Sequence, residues 1–171
     1  MEGLRSLTLI RHGAAVGETP GKRSDFDRAL SPRGIEEARW VGRTLVSAAD
    51  HFDRLISSPA LRARQTATCV AEAIGFSEEC IDWDDELYLA DPQDLLDCLD
   101  ISSASVHHVG VVGHNPGLSQ FGSYLSQKND VFLPTCGVAR FELKLDGWET
   151  LGPGCVRRFE FQHPGPAGES G

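Results

Sequence analysis

Segments typical of β-strands alternate with segments typical of helices along most of the chain, and this alternation restricts the possible folds more than any other feature. The strand-like segments lie at residues 5–11, 54–58 and 106–114, and the helix-like segments lie at 31–49, 59–74, 91–99 and 115–126. The segment VHHVGVVGH is apolar enough to be buried on both faces, as strands of parallel sheets are. The pattern predicts an α/β fold with three layers, α/β/α, around a mostly parallel central sheet.

Two further strand-like segments, 137–145 and 155–162, follow each other near the end of the chain without a helix between them. The residues between them include Asp146-Gly147 and Gly152-Pro153-Gly154, which are typical of turns. Consecutive strands joined by turns pair antiparallel. We therefore expect an antiparallel C-terminal edge on the parallel sheet.

Three of the predicted helices carry start signals, each consisting of a capping side chain followed by a proline. These pairs are Ser31-Pro32, Ser58-Pro59 and Asp91-Pro92. The side-chain oxygen of such a residue accepts a hydrogen bond from the first turn, and proline is favoured directly after it. Gly75 is placed to end the helix that begins at Pro59. Gly34 is unfavourable inside the first turn of the helix at 31–49, which leaves the start of that helix uncertain.

Length and charge exclude several classes of protein. The chain has 171 residues and a formal net charge of −9, which argues against a general nucleic-acid binder because such proteins present a basic face. No apolar run approaches the roughly 20 residues of a membrane helix, and the first residues lack the pattern of a signal peptide. We expect a cytoplasmic protein with one domain over residues 1–163 and a disordered tail over 164–171.

The cysteines do not indicate a disulfide framework or a metal site. The five cysteines are widely spaced, and none forms a CxxC pair: Cys69, Cys80, Cys98, Cys136 and Cys155. This spacing favours reduced thiols. No cluster of histidine, cysteine and carboxylate residues has the spacing of metal ligands. We expect neither a metal nor another cofactor.

Cationic and imidazole side chains follow the predicted strands at the point where each strand ends. Arg11 and His12 follow the first strand, Arg62 and Arg64 lie just after the second, and His114 follows the third. Ligands of parallel α/β sheets bind outside the carboxyl ends of the strands. The sequence therefore predicts that these side chains converge at one edge of the sheet.

This set of side chains suits phosphoryl transfer. A neutral imidazole can attack phosphorus and form a phosphohistidine, and arginines can bind the phosphoryl oxygens through two hydrogen bonds each. A second histidine can hydrogen-bond the phosphoryl group or move a proton near neutral pH. The glycine after His12 allows the backbone to approach closely. No metal is needed for this chemistry.

The segments LIRHG (9–13), SSPALRARQTA (57–67) and VVGHNPG (111–117), in that order, resemble the histidine phosphatase superfamily, which has the phosphoglycerate mutase-like fold. Within the superfamily, the residues of these motifs and the short length of the chain are most similar to those of the SixA-type phosphohistidine phosphatases. The resemblance implies that His12 is the nucleophile, that Arg11 and Arg62 bind the phosphoryl group, and that His114 completes the pocket. It favours Arg62 over Arg64, because Arg62 precedes the alanine before Gln-Thr.

The chain departs from the phosphoglycerate mutases after Gly13, where a hydroxyl residue and an asparagine are replaced by the run Ala14, Ala15 and Val16. Many superfamily members also carry an acid that protonates the leaving oxygen. Glu86 is the candidate for that role, with Asp85 as the alternative, and the competing interpretation is a solvated loop acid. Thr135 is a further candidate for a phosphate contact.

The number of residues between Glu86 and His114 limits how far the pocket can be covered, and therefore which substrates can reach it. One short helix and one strand use most of residues 87–113, which leaves no room for a long helical lid. An open pocket suits a phosphohistidine on a partner protein, such as a phosphotransfer domain, and a leaving imidazole needs less help from an acid than an alkoxide does. The alternatives are a small-molecule phosphomonoesterase or phosphoglycerate mutase-like enzyme acting on a small phosphorylated substrate, and a non-catalytic phosphate-binding module.

Overall fold

A six-stranded sheet lies between two layers of helices in the computed structural model, which describes residues 3–18 and 24–165. The strands are β1 (Gly3–Arg11), β2 (Arg54–Ser57), β3 (Asp82–Trp83), β4 (His108–Gly113), β5 (Val138–Leu145) and β6 (Val156–Gln162). The helices are α1 (Pro32–Ser47), α2 (Leu61–Ile74), α3 (Pro92–Cys98) and α4 (Gly117–Ser126). The two-residue strand β3 was not predicted, because two residues carry no measurable periodicity.

The strand order is β3-β2-β4-β1-β5-β6. Strands β1 to β4 pair in parallel, whereas β5 pairs antiparallel with both β1 and β6. The predicted three-layer α/β/α fold, with a mostly parallel sheet and an antiparallel C-terminal edge, is confirmed. The predicted α/β alternation succeeds because α1, α2 and α3 each return the chain to the start of the next parallel strand, whereas α4 leads into the antiparallel β5.

Both faces of the sheet are covered by apolar side chains, as the sequence of β1 requires. Leu7 and Leu9 pack on the face covered by α3 and α4, and Ile10 packs on the face covered by α1 and α2. This division follows from the two-residue period of a strand, which sends neighbouring side chains to opposite faces. The core therefore fixes the position of β1 in the middle of the sheet.

The parallel register brings the ends of β1, β2 and β4 together at one edge. The backbone N–H of His12 donates to the carbonyl of Gly113 at 3.1 Å, and that of Ser58 donates to the carbonyl of Val112 at 3.0 Å. The next residue along the chain after Gly113 is His114. The main chain thus places His12, Ser58 and His114 beside one another, as the rule for parallel sheets predicts.

Gly34 lies in the first turn of α1 because the chain after β1 passes very close to it. A Cβ atom at Gly34 would lie 2.0 Å from the carbonyl oxygen of Ala14, and one at Gly13 would lie 2.6 Å from the carbonyl oxygen of Gly34. Both positions therefore need glycine, and the unfavourable glycine near the start of α1 is explained by packing rather than by helix propensity.

Two of the three predicted helix caps are present. The Ser31 side chain accepts a hydrogen bond from the N–H of Gly34, Asp91 forms a capping box with Asp94, and Gly75 ends α2 in the left-handed conformation. The Ser58 cap is wrong, because α2 begins at Leu61, two residues later than predicted, with Ala60 as its unassisted cap. The Ser58 hydroxyl is used elsewhere, as described below.

The predicted disordered tail at 164–171 lies outside the described residues from position 166 onward. Within the described part of the chain, none of the helices is both long enough and apolar enough to cross a bilayer.

Candidate active site

The pocket at the carboxyl edge of the sheet is built around the buried guanidinium of Arg62. Its Nε donates to Nε2 of His12 at 3.3 Å, and its Nη2 lies 3.4 Å from Nδ1 of His114. The two imidazole rings are 5.0 Å apart between their centroids. Arg62 and His114 are each only 5 % exposed, and His12 is 9 % exposed. The structure therefore brings three of the predicted site residues into direct contact.

Arg11, the fourth of these residues, borders the same pocket from the end of β1. Its Nη1 donates to the carbonyl of Leu133 at 3.0 Å, while its buried Nε has no hydrogen-bond partner among the described residues. Burial lowers the pKa of Arg11, Glu37 opposes this effect, and the nearby Arg62 adds to it. Two guanidinium groups so close together favour a bound anion, and Arg11 retains a free donor for it.

His12 is held as a neutral imidazole whose Nε2 carries the lone pair. Its Nδ1 lies 2.7 Å from the carbonyl oxygen of Gly13 and must donate there, since that oxygen can only accept. Its Nε2 then accepts from Arg62. Burial, assisted by the charges of Arg62 and Arg11, lowers the pKa of His12 to about 4 against the opposing hydrogen bond to Gly13. A neutral ring is the form that attacks phosphorus, and the attack requires Arg62 to release the Nε2 lone pair.

His114 is held by the serine that was predicted to cap α2. Its Nε2 lies 2.7 Å from the Ser58 hydroxyl oxygen, and its Nδ1 faces Arg62, which can only donate. Nε2 therefore carries the proton. Burial and the proximity of His12 lower the pKa of His114 to about 3. Both rings are neutral at neutral pH, which avoids placing two further cations beside Arg62.

Asp25 is a pocket residue that the sequence did not indicate, because it belongs to the stretch 24–34, which reads as a solvated loop. The structure corrects that interpretation: Asp25 begins a short 3-10 turn packed against the pocket. Its Oδ2 accepts from Nη2 of Arg62 at 2.9 Å, its Oδ1 accepts from Nη1 of Arg28 at 2.9 Å, and its carbonyl accepts from Nη1 of Arg62 at 2.6 Å. Asp25 lies in the segment before the Ser31 cap and is not part of a recognisable motif, so the sequence gives no signal of its role in the pocket.

The carboxylate of Asp25 stays ionised. Burial alone would raise its pKa, but hydrogen bonds from Tyr88, Arg28 and Arg62 outweigh that effect and lower the pKa to about 2. This anion occupies the donors of Arg62 that a phosphoryl oxygen would use. A phosphoryl group that binds the guanidinium fork must therefore share it with Asp25 or displace the carboxylate.

Tyr88 is the second pocket residue that the sequence missed. Its hydroxyl donates to Oδ2 of Asp25 at 2.8 Å, and its ring packs edge-on against His114 at 5.6 Å and against Phe26 at 5.1 Å. The ring covers one side of His114 and helps to exclude water from it. A single tyrosine after an acidic loop has no distinguishing pattern in sequence.

The predicted acid, Glu86, lies on an exposed 3-10 turn at Asp85–Leu87, and its backbone N–H donates to Oδ1 of Asp84 at 3.0 Å. Within the described parts of the chain, no hydrogen bond or ion pair joins its carboxylate to the pocket. Asp85 is exposed as well. The role of Glu86 as a proton donor stays a prediction.

The sequence favours Arg62 over Arg64 as the phosphoryl-binding arginine and indicates Thr135 as a candidate phosphate contact, and the structure shows where both side chains lie. Arg64 is exposed, and its guanidinium lies over the Trp83 ring, 4.6 Å from the ring centroid, rather than against the two histidines. Thr135 is partly buried and precedes Cys136, whose N–H contacts the carbonyls of Arg11 and His12. Thr135 therefore stays near the pocket as a candidate phosphate contact.

Across residues 3–18 and 24–165, no group of three or more histidine, cysteine, aspartate or glutamate side chains is arranged to hold a metal ion. The positive charge of the pocket comes from Arg11, Arg28 and Arg62.

The two histidines give a direct test of this geometry by nitrogen NMR. We expect the ring signals of His12 and His114 to remain those of neutral imidazoles from about pH 8 to about pH 5, because burial lowers both pKa values below the usual 6.5. The proton should reside on Nδ1 in His12 and on Nε2 in His114. Spectra of His12→Ala and His114→Ala assign the signals. Titration of either ring near pH 6.5 would contradict the account.

The two neighbouring arginines provide a matched pair of variants. Arg62→Lys should weaken the binding of tungstate, a tetrahedral oxyanion, by about tenfold or more (~1.4 kcal/mol), because an ammonium cannot replace the guanidinium fork. Arg64→Lys should leave the affinity within about twofold of wild type, since Arg64 contacts Trp83 outside the pocket. Calorimetric titration measures both. The reverse ranking would show that Arg64 is the anion-binding arginine.

Comparison with known proteins identifies the family to which this chain is related. The family model of the histidine phosphatase superfamily, branch 1, matches residues 7–88. The chain is 30% identical over 168 residues to the uncharacterized protein Rv1276c of Mycobacterium tuberculosis, covering 91% of this chain and 99% of that protein.

Two solved structures extend this likeness to the whole fold. One is the protein assigned as phosphohistidine phosphatase SixA in Agrobacterium tumefaciens, with 27% identity, a TM-score of 0.76 and coverage of 94% of this chain and 98% of the other. The second is its counterpart from Nakamurella multipartitia, with 27% identity, a TM-score of 0.78 and coverage of 95% and 97%. The chain belongs to the histidine phosphatase superfamily and is similar to SixA.

Proposed function

We propose that this phosphatase removes the phosphoryl group from phosphohistidine on a partner protein. The observation that carries the proposal is the neutral His12, whose Nε2 faces the Arg62 guanidinium in a pocket for which the described residues supply no long helical insertion as a cover. The segment between Tyr88 and His108 contains one regular element, the seven-residue helix α3. A side chain presented by another protein can reach a pocket of this kind.

The reaction follows from the side chains in two steps. In the first, Nε2 of His12 attacks phosphorus, a new N–P bond forms, and the N–P bond to the substrate imidazole breaks, with the leaving nitrogen taking a proton from solvent. In the second, water attacks the phosphorus on His12 and releases phosphate, which returns the neutral ring. Arg11 and Arg62 bind the phosphoryl oxygens throughout and stabilise the charge in transit.

Proton supply favours phosphohistidine over a phosphoester. Asp25 is the carboxylate that lies against Arg62, and its pKa of about 2 keeps it ionised, so that it has no proton to give. Glu86 is exposed and is not bonded to the pocket residues. An alkoxide leaving group needs a proton in the transition state, whereas an imidazole leaves with much less help. The site thus suits the cleavage of an N–P bond better than that of an O–P bond.

The partner is proposed to be a phosphohistidine-bearing protein such as a phosphotransfer domain. We place the reaction in the cytoplasm, since the five cysteines are all unpaired and fit a reducing compartment.

A comparison of substrates tests the proposal. The wild-type enzyme should hydrolyse a phosphotransfer domain phosphorylated on histidine with a kcat/KM at least about tenfold above that for sugar phosphates, phosphoglycerates and aryl phosphates. His12→Ala should be inactive on all of them while keeping its thermal unfolding transition. Glu86→Gln should change phosphohistidine hydrolysis by less than about twofold and affect phosphoesters more. A metabolite that exceeds the phosphoprotein by about tenfold, or ~1.4 kcal/mol, would replace this proposal with a small-molecule phosphatase.

The source of positive charge is tested separately. Dialysis against EDTA should leave kcat/KM unchanged, because Arg11 and Arg62 rather than a metal neutralise the phosphoryl oxygens. A large loss of rate that magnesium or zinc restores would contradict this part of the mechanism.

A further inference from the structure

We propose that the mouth of the pocket carries a docking surface, formed by Leu89 and Phe132, for a protein segment in which apolar and basic side chains flank the phosphohistidine. The inference rests on the proposed function and specifies the segment that the enzyme recognises. Leu89 is 67% exposed and Phe132 is 64% exposed. They are the two most exposed large apolar side chains in the described part of the chain.

Both side chains adjoin residues of the catalytic pocket, on two different segments. Leu89 directly follows Tyr88, whose ring packs against His114 and whose hydroxyl donates to Asp25. Phe132 directly precedes Leu133, whose carbonyl accepts the hydrogen bond from Arg11. Exposed apolar side chains scattered over a surface need no explanation, but a pair that borders a reactive pocket indicates an interaction site.

Leu89 is held in its exposed position at a conformational cost. Its φ angle is 58°, in the left-handed region that side chains other than glycine and asparagine rarely adopt. Tyr88 on one side is anchored by its hydrogen bond to Asp25, and Asp91 on the other side caps α3. Strained residues that the surrounding structure fixes in place are concentrated at functional sites. The leucine is therefore presented rigidly rather than left on a loose loop.

Phe132 belongs to an apolar groove whose lining includes Asn115, the residue that follows His114. The apolar residues of the groove are Pro116, Val131 and Phe132, and polar side chains such as Asn115 and Ser119 line its remainder. Asn115 also donates to the carbonyl of Leu133, the same oxygen that Arg11 contacts. A chain bound at the phosphoryl site can thus continue into this groove.

The charged residues near the two apolar side chains indicate which kind of segment would bind there. Exposed acids lie close to Leu89 in the sequence, including Asp85, Glu86 and Asp91, and the exposed Asp130 lies two residues before Phe132. With a net charge of −9, the protein repels small anions that carry several phosphates. A segment that supplies lysine or arginine near one phosphoryl group instead complements these acids. Its apolar side chains gain a surface to bury against, which a sugar phosphate does not offer.

Two variants and a matched control separate docking from chemistry. Leu89→Asn removes the apolar side chain while keeping a residue that tolerates the left-handed backbone, and Phe132→Ser removes the aromatic ring. Val46→Gln is the control, because Val46 is also exposed, at 53%, but lies near the far end of α1, fifteen residues or roughly 22 Å of helix beyond the cap at Ser31.

The probes are two synthetic phosphohistidine peptides of equal length and p-nitrophenyl phosphate. One peptide carries leucine and lysine around the phosphohistidine, and the other carries glycine and glutamate. Wild type should prefer the first peptide by about tenfold in kcat/KM. The Leu89 and Phe132 variants should lose this preference through KM, while p-nitrophenyl phosphate hydrolysis stays within about twofold of wild type. Val46→Gln should behave as wild type on all three substrates.

Equal hydrolysis of both peptides by wild type would overturn the docking surface while leaving the phosphohistidine function intact. A loss in the variants that is equal for the peptides and for p-nitrophenyl phosphate would also overturn it, since the substitutions would then act on the pocket itself. Hydrolysis of p-nitrophenyl phosphate but of neither peptide would overturn the proposed function together with the docking surface.

Discussion

The buried guanidinium of Arg62 is the group on which the rest of the site depends. A buried cation must find hydrogen-bond acceptors, because leaving it unpaired costs several kcal/mol (about 3–5). Here the acceptors are Nε2 of His12, Nδ1 of His114 and the carboxylate of Asp25. Each imidazole can accept only while that nitrogen is unprotonated. Arg62 therefore fixes the neutral state of both histidines, and in the empty pocket the Nε2 lone pair of His12 points at the guanidinium.

Asp25 balances this positive charge when no phosphoryl group is bound. It pairs with both Arg62 and Arg28, and the Tyr88 hydroxyl donates to the same carboxylate oxygen as Arg62. An ionised carboxylate stabilises the arginines without protonating a leaving group. The same residue thus explains how the pocket remains stable when empty, and its ionised state supports the proposed preference for phosphohistidine over a phosphoester.

The sequence predicts those parts of the site that follow from strand ends and from the resemblance to a family. His12, Arg62 and His114 are found together because parallel register brings the ends of β1, β2 and β4 to one edge. Gly34, which conflicts with helix propensity, is explained only when the close approach to Ala14 is known. Local signals decide most helix caps. The Ser58 hydroxyl accepts locally from the N–H of Ala60, ahead of α2, and also bonds Nε2 of His114, a tertiary contact that no local pattern reveals.

Asp25 and Tyr88 lie beyond sequence reasoning because they reach the pocket from loops 63 residues apart in the chain. The central claim is that His12 carries the phosphoryl group, and trapping the enzyme during turnover tests it most directly. Wild type mixed with a histidine-phosphorylated phosphotransfer domain, quenched in alkali and analysed by mass spectrometry should carry one phosphoryl group, located on His12. Turnover with an unmodified His12, or with the phosphoryl group on His114, would contradict the account.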